Sequence, residues 1–229
     1  MNNDLMDFFQ KELEDFLRPH FESSDALADY LSDVFDYENG SIVKRQMLFQ
    51  TKRFVSLANN IEKIVPFCDG LRLLFLKICL ESLHSLSNCK NNFYGVFCES
   101  FSAEGKAYIL DHFKLLQFTD EYRGDTVYIN HAINLSDFLF IIKIIRDRIA
   151  HDGELWSLRF FAYGEDSTWF TEIETDEEMI KSYKYRRESK KITTYYFKTT
   201  LNYERFIFYF VEACINYITQ VNENRTRET

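Results

Sequence analysis

Residues 135–151 read LSDFLFIIKIIRDRIAH, and the spacing of their apolar side chains decides the fold class. At 100° per residue, one face of a helix over this stretch carries an apolar stripe with intervals of three and four: Leu135, Phe138, Ile142, Ile145 and Ile149. A stripe of this kind is typical of a helix in the core of a bundle. The sequence therefore predicts a mainly helical protein.

The opposite side of this helix carries polar residues together with a second apolar group. Lys143, Asp147 and His151 recur at intervals of four and flank Phe140 and Ile144. Because an apolar patch beside charged groups is uncommon on a free surface, this side predicts a second packing partner. That partner is either another helix of the bundle or a second copy of the chain.

The stretch 146–151, RDRIAH, resembles the R-x(4–6)-H motif of the HEPN superfamily, in which a polar residue usually follows the arginine. The predicted helical bundle resembles that superfamily too. In its members, the motif helices of two protomers meet, and their arginines and histidines form one composite ribonuclease site. The resemblance covers six residues and assigns no subfamily.

The resemblance implies a metal-independent endoribonuclease that acts as a homodimer, needs no cofactor and serves as a toxin or phage-defence effector. It implies RNA as substrate, an antitoxin or another regulatory protein as a further partner, and products with a 2′,3′-cyclic phosphate and a 5′-hydroxyl. Arg146, His151 and Asp147 are then the catalytic residues, and Arg148 and Lys143 bind RNA.

These residue types suit the chemistry on their own terms. RNA carries its own nucleophile in the 2′-hydroxyl, so an enzyme needs only to move protons and to stabilise charge on the phosphate. Histidine exchanges protons near neutral pH, and a guanidinium holds two phosphate oxygens at once. Asp147 is expected to orient a neighbouring side chain or to tune the histidine.

Two other interpretations remain open. The chain is a non-catalytic HEPN-like module that binds a protein or a nucleotide, or it is a helical scaffold without a site. In the scaffold, Arg146, Arg148 and His151 are solvated cations that meet the helix dipole at its C-terminal end.

The chain divides into an acidic N-terminal helical hairpin, 1–38, and a HEPN-like helical domain, 39–229. The second part is expected to hold a small antiparallel sheet, inserted at about 154–199 before the C-terminal helix. Strands are predicted at 155–163, 167–174 and 191–199. Upstream of the motif, a helix is predicted over 103–117 and a polar connection over 120–130.

Charge is strongly segregated along the chain. The net charge is −9, and residues 1–38, with eleven acids and two bases, carry all of it, so the remainder is neutral. Within that remainder, residues 181–198, named here the basic segment, hold seven bases against Glu188 and several tyrosines. Cations and stacking rings together are typical of RNA binding, which predicts further RNA contacts through Arg186, Arg187, Lys190 and Lys191. The alternative is an exposed connection between two strands.

Several classes of function find no support in the sequence. The N-terminus lacks the pattern of a signal peptide, and the apolar runs are too short for a bilayer, so a cytoplasmic protein is expected. Five cysteines without a C-x-x-C pair argue against disulfides and zinc and predict core fillers. Phosphate-loop, dinucleotide and serine-hydrolase motifs are missing.

Overall fold

The structure is a computed structural model, and it describes residues 3–35, 42–66, 68–89, 93–120, 125–153, 158–160, 169–175 and 193–221. Over these residues the chain forms eight α-helices: α1 (Asn3–Leu17), α2 (Ser24–Phe35), α3 (Ile42–Asn60), α4 (Asp69–Ser87), α5 (Phe93–Glu99), α6 (Ala103–His112), α7 (Leu135–Asp152) and α8 (Tyr203–Gln220). Short 3₁₀ turns, Arg18–His20 and Ile61–Lys63, follow α1 and α3.

Four strands form one small sheet: β1 (Phe113–Asp120), β2 (Asp125–Ala132), β3 (Trp169–Thr175) and β4 (Thr193–Thr199). Their order is β2-β1-β4-β3, and all neighbouring strands are antiparallel. Since β4 leads directly into α8, the predicted fold class, a mainly helical protein with a small antiparallel sheet before the C-terminal helix, is confirmed.

Half of this sheet comes from a part of the chain where no strand was predicted. The predicted helix over 103–117 ends at His112, and β1 and β2 replace its last turn and the expected polar connection. Phe113 and Leu115 point to the same face and are buried, which is the alternation of a strand. The sheet is therefore not confined to the insertion at about 154–199.

Of the strands predicted in the insertion, two are confirmed at 169–175 and 193–199. The first, predicted over 155–163, is wrong where it is described, because residues 158–160 belong to no strand. The Phe160 amide instead donates a hydrogen bond to the Asp69 carboxylate at 2.8 Å, which ties this stretch to the start of α4.

A single apolar core runs through the helices and extends into the N-terminal hairpin. Leu13 and Leu17 of α1 are fully buried, and so is Val34 of α2. Three of the five cysteines fill the same core, as predicted: Cys79, Cys98 and Cys214. The acidic hairpin is thus packed onto the bundle through its apolar side and exposes acids on its other side.

Helix α7 packs against α4, α5 and α6. The Asn134 side chain accepts a hydrogen bond from the Asp137 amide at 2.8 Å and so caps the start of the helix. The Phe138 ring meets Phe113 of β1 and Phe206 of α8, with centroids 5.1 and 5.9 Å apart. The sheet therefore anchors the first half of α7, and the motif lies at the other end. No helix among the described residues is long and apolar enough to cross a membrane.

Candidate functional site

The second apolar group on α7 is packed inside the chain. Ile144 is only 7% exposed and Ile141 is fully buried, while Phe140 is half-buried against the same core. Of the two packing partners that the sequence left open, the structure therefore supplies other elements of the same bundle. A homodimer stays a prediction, and this apolar group no longer argues for it.

Arg146 lies on the side of α7 that faces α4. Its guanidinium donates a hydrogen bond to the Glu81 carboxylate and forms an ion pair with Asp147 at 3.0 Å. The side chain is 21% exposed. Its Nε is buried and has no hydrogen-bond partner among the described residues. Two carboxylates thus hold the guanidinium in place while one of its donors stays unused.

Arg146 shares Glu81 with a lysine that is almost completely buried. Lys77 of α4 is 1% exposed, donates a hydrogen bond to the Tyr94 hydroxyl and lies 3.5 Å from a Glu81 carboxylate oxygen. Burial lowers the pKa of Lys77; Glu81 opposes this shift, and the positive charge of Arg146 adds to it. Glu81 therefore serves two cations, one buried and one partly exposed.

Lys77, Glu81, Tyr94, Arg146 and Asp147 are named here the α4–α7 cluster. Sequence reasoning found its two members on α7 and missed the three on α4 and α5. A signal for Lys77 was present, because it follows Leu73 by four positions and precedes Leu80 by three, which places it on the buried stripe of α4. A lysine on such a stripe indicates a buried charge that needs a partner.

Asp147 orients the arginine beside it. Besides its contact with Arg146, its carboxylate lies 3.6 Å from the Lys143 ammonium, which sits over the Phe140 ring at 5.4 Å. Arg148, the other cation of the motif, is half-buried. Of the two roles predicted for Asp147, orienting a neighbouring side chain is therefore the one that its contacts match.

His151 occupies the last turn of α7, where its side chain is exposed. The five positions between Arg146 and His151 turn the helix by about 140°, so the two side chains leave α7 on different sides. No hydrogen bond or ion pair joins them among the contacts of the described residues. Within one chain, the structure therefore does not place Arg146 and His151 where both could act on the same bond of a substrate.

Two other histidines hold structural positions. The His84 ring stacks on Phe93 at 4.7 Å, and its Nε2 hydrogen-bonds the Cys89 carbonyl at 2.9 Å. His112 donates to the Tyr108 carbonyl at 2.8 Å. In the part of the chain that the structure covers, no three His, Cys, Asp or Glu side chains are grouped so that they could hold a metal ion.

Most of the predicted RNA-binding surface lies outside the described residues. This holds for Arg186, Arg187, Lys190 and Lys191. The described end of the basic segment is β4, where Phe197 is buried and the Tyr195 and Lys198 side chains are half-buried. At this end the segment is therefore a central strand of the sheet, with its apolar ring turned into the core.

Comparison with family models, with curated proteins and with solved structures gives no match to this chain. The case for any function consequently depends on the residues of α7 and on the cluster around them.

Proposed function

We propose that the chain is a metal-independent endoribonuclease of the HEPN type, with a composite Arg/His site at a homodimer interface. In this proposal it acts in the cytoplasm as a toxin or phage-defence effector. The observation that carries the proposal is the contrast along the motif. The Arg146 guanidinium is held by Glu81 and Asp147, and His151 stands exposed one and a half turns later.

This contrast matches the separate tasks of the two groups. A group that stabilises charge on the phosphate acts best when it is fixed in advance, because no reorganisation is then needed during the reaction. A group that transfers protons must instead reach both the substrate and water. Since Arg146 and His151 leave α7 about 140° apart, a second copy of the chain supplies the missing member of each pair.

The reaction itself needs no atoms beyond RNA and these side chains. One imidazole removes the proton of the 2′-hydroxyl, and the 2′-oxygen attacks the adjacent phosphorus. The bond from phosphorus to the 5′-oxygen breaks, and this oxygen takes up the proton from the imidazolium that formed in the first step. Arg146 neutralises the charge that builds up on the phosphate oxygens.

Cleavage of RNA in excess chelator tests the proposal. Purified protein is incubated with total RNA, and we expect His151→Ala to lose cleavage by at least about 100-fold, the lower end of what a positioned acid or base contributes. The fold should be unaffected, since His151 is exposed. Arg146→Gln should lose cleavage as well. His84→Ala is the matched control, because it removes a histidine that stacks on Phe93 and lies outside the proposed site. This variant should remain active.

Two outcomes would contradict the enzyme. One is cleavage that requires magnesium, which would indicate a different site. The other is cleavage that persists undiminished in His151→Ala.

One observation favours the non-catalytic module as a second candidate. Both Glu81 and Asp147 engage the Arg146 guanidinium, so this arginine is already occupied and is not free to bind a phosphate diester. For such a module we expect RNA or a nucleotide to bind while the RNA stays intact after long incubation. Binding without cleavage in the experiment above would select this candidate.

A further inference from the structure

We infer that Lys77, Tyr94 and Arg146 form a phosphate-binding site that the Glu81 carboxylate fills in the free protein. This inference rests on the proposed function only in choosing phosphate as the anion. The observations behind it are the burial of Lys77, the sharing of Glu81 between two cations, and two hydrogen-bond donors for which none of the described residues is an acceptor.

Lys77 is the buried member of this site and stays in place when an anion binds. A lysine that is 1% exposed has lost its water, and removing its counter-charge would leave an uncompensated charge in the interior. Glu81, by contrast, is 43% exposed, so its carboxylate reaches water when it rotates away, and an incoming anion then replaces its charge beside Lys77. Of the two partners, the glutamate is therefore the one that can leave.

Charge favours an incoming anion once Glu81 has turned away. Glu81 and Asp147 carry two negative charges and face three positive charges, those of Lys77, Arg146 and Lys143. The lowered pKa of Lys77 follows from burial and from the charge of Arg146, and a nearby anion opposes both effects. A phosphate group that carries up to two negative charges and takes the place of Glu81 balances the three cations together with Asp147, which a single carboxylate does not.

The donors also fit a tetrahedral anion better than they fit a carboxylate alone. The Arg146 Nε is buried without a partner among the described residues, although a guanidinium can offer two parallel donors to one phosphate. The Tyr94 hydroxyl accepts from Lys77, and none of the described residues accepts its own proton. A phosphate group has enough oxygens to accept from Lys77, Tyr94 and Arg146 together.

Replacement of Glu81 by Gln tests the site, because the amide keeps the shape of the side chain and removes its charge. Titration calorimetry should show that Glu81→Gln binds inorganic phosphate about tenfold more tightly than the parent does. A change of this size is usual for the coupling between two groups, here the Glu81 carboxylate and the phosphate, that compete for the same cations. Glu99→Gln is the matched control, since Glu99 pairs with Lys106 at 3.3 Å on the surface. It should leave phosphate affinity unchanged.

A second substitution locates the effect. Adding Lys77→Met to Glu81→Gln should abolish the gain in phosphate affinity. Equal affinity of Glu81→Gln and Glu99→Gln both for inorganic phosphate and for an RNA phosphate diester would overturn the inference, and so would a double variant that binds as tightly as Glu81→Gln.

Thermal unfolding gives a readout that does not depend on RNA. Glu81→Gln leaves Lys77 without its carboxylate and Arg146 with Asp147 alone, so its Tm should fall in chloride and rise again in phosphate at equal ionic strength. If Glu81→Gln does not fold, Glu81→Asp tests the site instead, because the shorter side chain moves the carboxylate away from Arg146. It should bind phosphate more tightly than the parent does, and unchanged affinity would overturn the site.

Two ligands distinguish the source of the phosphate group. Inorganic phosphate reports a free or terminal phosphate, and a 2′-O-methyl RNA without terminal phosphates reports a backbone diester. Tighter binding of either ligand in Glu81→Gln supports the site and identifies its source. If the parent does not cleave RNA but Glu81→Gln gains phosphate affinity, only the proposed enzyme fails. If RNA is cleaved and no gain is seen, only the phosphate site fails.

Discussion

His20, in the turn between α1 and α2, is held in an environment that disfavours its charged form. Its ring stacks on Phe208 of α8, with centroids 4.6 Å apart. Burial lowers the pKa of His20 to about 4, and its Nδ1 has no hydrogen-bond partner among the described residues. Protonation therefore opposes the contact through which the acidic hairpin meets α8.

The stability of the protein should depend on this histidine in mildly acidic solution. The folded pKa lies below the unfolded value of 6.5, so the unfolded chain takes up the proton first. The free energy of unfolding that depends on neutral His20 is therefore fully present above pH 6.5 and is lost as the pH falls towards 4. We expect a loss of roughly 1–2 kcal/mol, after allowance for solvent screening.

Thermal unfolding of the parent and of His20→Phe at pH 7 and pH 5 measures this contribution. Phenylalanine keeps a ring against Phe208 and cannot be protonated, so the variant should lose less stability on acidification. An equal loss in the two proteins would rule out a role for His20 protonation.

At the scale of the elements, the end of α7 sets the position of His151. The helix stops at Gly153, which adopts a positive φ of 70° as its C-cap. Glycine reaches this left-handed conformation without the cost that a Cβ imposes. The last turn, which carries His151, is therefore held by the glycine that follows it.

Gly153→Ala should destabilise the protein by about 1 kcal/mol through its backbone alone. Among the described residues other than its chain neighbours, no atom lies within 4 Å of the added Cβ, so no steric clash with them contributes. Because the same change frays the last turn, RNA cleavage should weaken as well. Gly153→Asn is the control, since asparagine tolerates this conformation better. Chemical denaturation measures the stability, and an alanine variant as stable as the asparagine variant would contradict the expectation.

Helix α7 and the helices of the N-terminal hairpin were predictable from sequence, whereas α6 ends five residues before its predicted end and two of the four strands were not predicted. The apolar spacing in 135–151 and the Asp152-Gly153 stop predict α7 almost to its ends. A strand depends on partners that can be far away: β1 pairs with β4 through Phe113 and Thr199, which are 86 positions apart (199 − 113 = 86). The aromatic and β-branched run at 127–129 was the available signal for β2.

The candidate site was likewise predictable only in part. Its α7 half follows from a short motif, whereas the pairing of Arg146 with Glu81 joins residues 65 positions apart. Local periodicity carries no information on such a pair. It does carry the burial of Lys77, because that residue falls on an apolar stripe.

At the scale of the whole molecule, the negative charge of the hairpin lies on its exposed side. The acidic hairpin packs onto the bundle, with exposed acids on α2 and the turn before it: Glu22, Asp25, Asp29 and Asp33. The described part of the basic segment lies in β4, which begins at Thr193.

RNA affinity should depend on the basic segment and on salt. Replacing Arg186, Arg187, Lys190 and Lys191 with Ala should weaken binding and flatten its salt dependence, because fewer counterions are released. RNA titration at two ionic strengths measures both effects. If the four-alanine variant binds like the parent with an unchanged slope, the segment is only a connection between strands.

The acidic hairpin supplies the matched control for that titration. Deleting 1–38 would expose the core, since Leu13, Leu17 and Leu27 are buried. Four neutral substitutions avoid this problem: Glu22→Gln, Asp25→Asn, Asp29→Asn and Asp33→Asn. They remove repulsion without touching the core, so RNA affinity should stay equal or rise.

Mixing two inactive variants tests the composite Arg/His site most directly. Arg146→Gln and His151→Ala protomers are combined under conditions that allow exchange, and RNA cleavage is measured in chelator. Half of the dimers are then mixed, and each contains one of two sites with both groups intact. Cleavage should return to about a quarter of the parent value, as the symmetry of a dimer requires. A mixture that stays inactive while the parent cleaves RNA would contradict the composite site.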